Sequence, residues 1–130
     1  MMLFYAHSGF RYLVLLMGAI VLGYALFGMA TGRKHDTPMR ALGAAFAGTM
    51  DLTILLGVAL LFTGRFYPAV GIHMVFMVLG AAVAHIVPAV MKRRAPEDRT
   101  FAPYVVGTAV ALALVVTGIT MLGRPIVGSG

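Results

Sequence analysis

The chain contains no cysteine. That absence excludes a disulfide framework, a thiolate-held metal and a haem attached through a CxxCH motif, and it leaves the redox compartment unspecified. Acidic residues are scarce too, four against ten Lys and Arg in 130 residues. Asp36, Glu97 and Asp98 fall in polar connections, so Asp51 is the only carboxylate inside an apolar run. No phosphate-cradling glycine loop, serine triad, HExxH pair or paired-carboxylate pattern is found. Hydrolysis and phosphoryl transfer both need such groups, and their scarcity weighs against either chemistry. An electron carrier or a complex subunit fits better than a stand-alone enzyme.

What is abundant is apolar surface. The composition is 61% hydrophobic, with a mean hydropathy of +0.96. A water-soluble domain requires more polar surface than this, so the class is integral membrane protein. Four runs approach or exceed the ~20 residues that cross a bilayer. They lie at about 10–30, 41–63, 72–91 and 103–122, the first possibly extended by the apolar MMLFYA. The runs are continuous rather than alternating every second residue, which favours helices over a membrane barrel. Short connections predict antiparallel neighbours, hence an all-α, up-down four-helix bundle in one domain. A cleaved signal peptide is not expected, because the first run is span-length and lacks a basic segment before it.

The net charge of +6 is distributed between the apolar runs. This distribution reads as membrane anchoring rather than nucleic-acid binding. Arg33, Lys34, Arg40, Lys92, Arg93, Arg94 and Arg99 fall in two loops on one side. The other side carries Arg11, Arg65 and Arg124. The positive-inside rule then places both termini outside the cytoplasm of a bacterial inner membrane. Tyr5, Tyr12, Tyr67 and Tyr104 are expected at the membrane interfaces. Pro88 is expected to loosen the inner end of the third span.

Polar groups inside a bilayer are costly and so informative. His7 and Arg11 are four residues apart and share a helix face. His73 opens the third span, which runs parallel to the first, so the two histidines stand at one outer level. Two imidazoles from parallel helices can supply both axial ligands of one haem iron. Arg11 would then face a propionate, and Gly80, almost two turns beyond His73, would leave room for a flat macrocycle. The alternative is that both histidines are wetted by headgroups while Arg11 snorkels to phosphate. His85, ~18 Å below His73 by helical rise, lacks a second histidine at its level, so one haem is expected. Asp51 and His85 are predicted to meet as a buried pair between the second and third spans. They would serve either as a proton- or quinone-handling pair or as inert interhelical glue. No internal repeat is apparent, which counts against a transporter built on alternating access.

The stretches AHSGFRYLVLL, MDLTILLGVALLF and GIHMVFM resemble small four-span bacterial membrane proteins labelled b-type cytochromes. Spans of that family carry HSGLRW-like, HLQLLIG-like and EHP-like segments. The resemblance covers most of the first three spans. It implies a b-type haem and electron transfer, carried over by position to His7, Arg11 and His73. Asp51 stands where that family tends to have a histidine, and Ile72 where a glutamate precedes the third-span histidine. Two functions follow as expectations. One is a quinone-linked haem protein for electron transfer. The other is a cofactor-free accessory subunit of a larger respiratory or photosynthetic membrane complex.

Overall fold

The computed structural model describes residues 2–64 and 67–123. Four long helices run α1 Met2–Ala30, α2 Thr37–Leu61, α3 Pro68–Arg93 and α4 Ala102–Thr120. All four are long and apolar enough to cross a membrane. A short 3₁₀ turn at Pro96–Asp98 lies before α4. The all-α four-helix architecture expected from the hydropathy pattern is therefore present. The first helix begins at Met2 rather than near residue 10, which puts His7 well inside it. Arg65 and Arg124, two of the three cations assigned to the outer side, lie outside the described residues.

Local chemistry sets the helix ends. Gly32 adopts φ +66°, a left-handed conformation that costs glycine little. Its N–H bonds Met29 O at 3.3 Å, and the N–H of Arg33 bonds Gly28 O at 3.0 Å. That is a Schellman closure of α1. Asp36 then caps α2, its carboxylate accepting from the Met39 N–H at 3.0 Å. Proline stands in the first turn of α2, α3 and α4, where its missing N–H is no loss. Pro88 lies inside α3, yet the helix runs through it to Arg93. The freed end of α3 is satisfied by Arg99, whose Nε donates to Met91 O at 2.8 Å.

Each helix packs against two neighbours: α1 and α3 both touch α2 and α4. Thus α1 and α3 face each other across the bundle diagonal. The inner two-thirds is closed by Val14, Val21, Phe46, Met50, Met91 and Val115, among others. Aromatic rings at the start of α4 fit only because glycines face them. A Cβ on Gly43 would lie 2.7 Å from the Tyr104 ring, and one on Gly28 would lie 2.6 Å from Phe101. Tyr104 is only 1% exposed. It is a core residue and not the interfacial tyrosine that its position near a span end suggests.

The two helical hairpins repeat one another, although no internal repeat is apparent in the sequence. Shifting α1 by the 66 residues that separate His7 from His73 brings its buried Val14, Gly18, Val21 and Ala25 onto buried Gly80, Ala84, Val87 and Met91. Shifting α2 by 65 brings buried Met39, Gly43, Phe46 and Met50 onto buried Tyr104, Thr108, Ala111 and Val115. The relation is that of a quasi-two-fold axis running along the bundle. His7 and His73 are equivalent positions on equivalent helices.

Candidate functional site

At the end of the bundle where α1 and α3 begin, the helices separate around a cavity of about 500 Å³. It is lined by His7 and Arg11 from α1, Thr53 and Gly57 from α2, and His73 and Met77 from α3, with apolar residues making up most of the rest. The volume falls within the ~300–1,000 Å³ usual for small-molecule and cofactor sites. Gly80 does not line it. This glycine is buried beneath the cavity, where a Cβ would meet Met50 at 3.2 Å and the Ala111 carbonyl at 3.5 Å. Its use is close approach between α3 and its neighbours, not space for a macrocycle.

Both predicted histidines face this cavity, and each is anchored by the neighbouring helix of its own hairpin. The Nδ1 of His7 lies 3.0 Å from Thr53 O on α2. The Nδ1 of His73 lies 2.9 Å from Gly118 O on α4. A carbonyl oxygen only accepts, so each Nδ1 carries the proton and donates. In a neutral ring that leaves Nε2 as the lone-pair nitrogen, the form that binds a metal. Metal-ligating histidines characteristically donate their other N–H to a carbonyl or carboxylate in this way.

Glycine leaves room beside both anchors. A Cβ on Gly57 would come within 3.0 Å of His7 Cε1, so a bulkier residue there would push that ring off its carbonyl. A Cβ on Gly118 would instead meet Phe76 Cβ at 2.9 Å and the end of Met77, with His73 Nδ1 at an ordinary contact distance of 3.6 Å. Arg11 lines the same cavity, one turn inward of His7, and its Nη2 donates to the Tyr12 hydroxyl at 2.9 Å.

The ring centroids of His7 and His73 are 6.3 Å apart, with planes at 86°. Two imidazoles on opposite sides of one metal ion stand ~6.3 Å apart, taking a metal–nitrogen bond of ~2.0–2.1 Å and ~1.1 Å from nitrogen to ring centre. The observed spacing therefore fits a shared metal. No cluster of three or more His, Asp or Glu able to hold a metal occurs among the described residues. A metal held here would draw further ligands from something other than side chains, as a porphyrin supplies from its four ring nitrogens. The cavity volume, the donor set and the Arg11 charge are all consistent with haem.

Asp51 and His85 meet as predicted. His85 Nε2 is 2.9 Å from one carboxylate oxygen of Asp51 and 2.8 Å from the other. The pair is not buried, however. The side chains are 54% exposed for His85 and 49% for Asp51, on the outside of the α2–α3 seam. Each follows a core residue, Met50 and Ala84 respectively, and one step along a helix turns a side chain ~100° away from the core.

A further cluster at the opposite end of the bundle was invisible in the sequence. His35, which reads as a loop residue, stacks on Tyr104 with centroids 5.5 Å apart, its Nε2 lying 3.2 Å from the Tyr104 hydroxyl. Burial holds its pKa below the ordinary histidine value. Asp36 pulls in the opposite direction, and Arg99 and Arg40 add to the lowering. Beside it Asp36 accepts from the Tyr24 hydroxyl at 2.6 Å and pairs with Arg33 at 3.1 Å. Desolvation pushes the Asp36 pKa up, but the Tyr24 and Met39 hydrogen bonds and the Arg33 charge outweigh it, and the net direction is down. These contacts tie the first connection to the start of α4.

Comparison of the chain with protein-family models, curated proteins and solved structures found no match in any of the three. The signals that could have revealed the site lie within the chain. HSGFRYL at residues 7–13 and HMVFMVL at 73–79 share the spacing His-x-x-Phe-x-x-Leu. The same shift brings Ile20–Val21 onto Ile86–Val87.

Proposed function

We propose that this chain is a membrane b-type haem protein that transfers electrons, with His7 and His73 as the residues that would hold a single haem. One observation carries the reading. Two imidazoles, each fixed as the Nδ1–H tautomer by a carbonyl of a different helix, meet edge to face with centroids 6.3 Å apart in the wall of a largely apolar cavity. A bound haem would supply the one-electron couple that the protein's own side chains lack.

The residues divide the remaining work. Thr53 and Gly118 hold the ring orientations through their carbonyls and raise the basicity of the two Nε2 atoms. Arg11 supplies a positive charge for a propionate. Apolar residues such as Met77 and Ile119 line the rest of the cavity and keep water from the metal. The resemblance of the first and third spans to small bacterial b-type cytochromes supports the same assignment. With that resemblance, a bacterial inner membrane is the location that fits. The seven-cation side faces the cytoplasm, so the haem lies near the outer face. At that depth a lipid-soluble quinol is the fitting electron donor.

A reduced-minus-oxidised absorption spectrum of protein purified after haem supplementation tests the proposal. A Soret shift and α-band typical of two-imidazole ligation are expected, and a spectrum with no haem bands sinks it. With haem bound, reduction by an added quinol checks the donor.

A further inference from the structure

The Asp51–His85 pair is misplaced for a chain that spans a bilayer alone. Asp51 lies close to the midpoint of α2, more than ten residues from its inner end. Both side chains point outward, about half exposed. Ionisable residues in membrane helices almost always face the bundle interior or a water-filled cavity, because hydrocarbon gives them nothing to bond. The cavity described above does not reach the pair. Something polar must therefore cover this face.

The quasi-two-fold repeat offers an internal control. The positions equivalent to Asp51 and His85 are Val116 on α4 and Ala19 on α1. Small residues flank both seams: Ala44, Gly48 and Ala89 beside the polar pair, and Ala109, Ala113 and Gly23 beside the apolar one. Small residues let helices approach closely, but they occur on both sides and do not distinguish them. What distinguishes the α2–α3 seam is the acid and the imidazole.

We propose that the α2–α3 face is a homodimer interface, in which the Asp51–His85 pair of one copy meets the same pair of a second copy across a two-fold axis along the membrane normal. Charge complementarity favours a second copy: the pair sets the Asp51 carboxylate on α2 beside the His85 imidazole on α3, and a two-fold rotation reverses that order, so carboxylate faces imidazole twice. His85 already uses Nε2 on Asp51. Its Nδ1–H then has the partner's carboxylate to donate to, and a carboxylate has acceptor capacity for both donors. The four groups close a ring in which every charge is opposed. An interface of this isologous kind needs no other protein. The open space beside Gly48, where an added Cβ would meet nothing within 4 Å, lets the second copy's helix approach. This assigns the pair to assembly rather than to proton or quinone handling, and it does not depend on haem.

The absence of cysteine makes the test direct. In membranes, Gly48→Cys should form an oxidative cross-link at twice the chain mass. Ala113→Cys, the equivalent position on the α4–α1 seam, should not. Adding Asp51→Val with His85→Ala to Gly48→Cys copies the apolar seam onto this one and should lower the cross-link yield about ten-fold or more. Asp51→Asn, which keeps shape and removes charge, should lower it less. Helix content by circular dichroism identifies a variant that has failed to fold. For such a variant, energy transfer between labelled wild-type copies diluted with unlabelled protein gives the answer in the intact chain. Equal cross-linking at residues 48 and 113, an undiminished yield without the pair, no energy transfer, or a Gly48→Cys adduct to a different protein with no homodimer would each overturn the proposal.

Discussion

The two levels of this bundle obey the quasi-two-fold axis differently. At the level of the cavity the hairpins agree: His7 and His73 occupy equivalent positions, and each donates to the neighbouring helix of its own hairpin across 46 and 45 residues of chain. Halfway down they disagree, with Asp51 and His85 on one seam and Val116 and Ala19 on the other. A matched pair converges on the axis, where it can act on one object between two helices. An unmatched pair lies off the axis and faces outward. Its asymmetry is a property of one surface rather than of the site. The comparison separates a candidate cofactor position from a candidate contact face without reference to any other protein.

The largest expected effect tests the matched level. His7→Ala and His73→Ala should each abolish or transform the haem spectrum, because either loss leaves one imidazole at most on the metal. His35→Ala, at the opposite end of the molecule, should leave it unchanged. A spectrum sensitive to one of the two cavity histidines alone would break the equivalence of the hairpins.

Gly57 comes next, since the repeat is imperfect there: its equivalent is Leu122. A side chain at 57 meets the His7 ring and moves it from the Thr53 carbonyl. Losing such an anchoring contact typically costs ~10–100-fold in metal affinity. Gly57→Val should therefore lower haem affinity by about that factor in a titration of the haem-free protein, while helix content is kept. Unchanged affinity would mean that the carbonyl anchor is dispensable.

Much of the fold was legible because hydropathy is summed over ~20 residues and single errors average out. The four spans and the common level of His7 and His73 follow from run length and helical rise. The Asp51–His85 contact does too, since depth alone brings the two residues together. Which way that pair points was not legible. Inward and outward positions differ by one residue on a helix, and near-uniform apolar helices carry almost no facial contrast to set the rotation. The carbonyls of Thr53 and Gly118 were equally hidden, because a backbone acceptor leaves no mark on side-chain identity. Gly57 marks its role only once the His7 ring is known to lie over it. Tyr104 misled for a related reason: a residue near a span end reads as interfacial, and only its burial beneath the His35 ring reveals it as core.

Arg11 sharpens the outer level further, for its equivalent is Met77 and both line the cavity. A cation beside the cofactor favours the less positively charged, reduced state. Arg11→Met makes the two halves alike and removes that charge. The spectrum should persist while the midpoint potential falls, on the order of tens of millivolts for one partly screened charge. A redox titration reads the shift directly. An unchanged potential would remove Arg11 from the haem environment.

The smallest effect belongs to the inner end, where no equivalence between the connections is expected to matter. The pKa of His35 is lowered, chiefly by burial against its neighbours, so the folded state binds its proton less readily than the unfolded chain does. The sign follows from linkage. This contribution to stability is complete above the ordinary histidine pKa and is lost as pH falls through that value towards the lower folded one. Asp36 acts in the same direction, but its pKa is displaced downward from the carboxylate range, so its share disappears only in stronger acid. Between about pH 7.5 and about pH 5 the His35 share is therefore lost while that of Asp36 is kept. The melting temperature of the detergent-solubilised protein should drop by a few degrees across that window. His35→Phe keeps the stacking on Tyr104 and Phe101 and removes the proton, so its melting temperature should be flat there. An equal drop in the variant would show that another group titrates. Because the His7–His73 cavity lies at the far end of the bundle, its spectrum should not follow this transition, and the two ends would then be separable by pH alone.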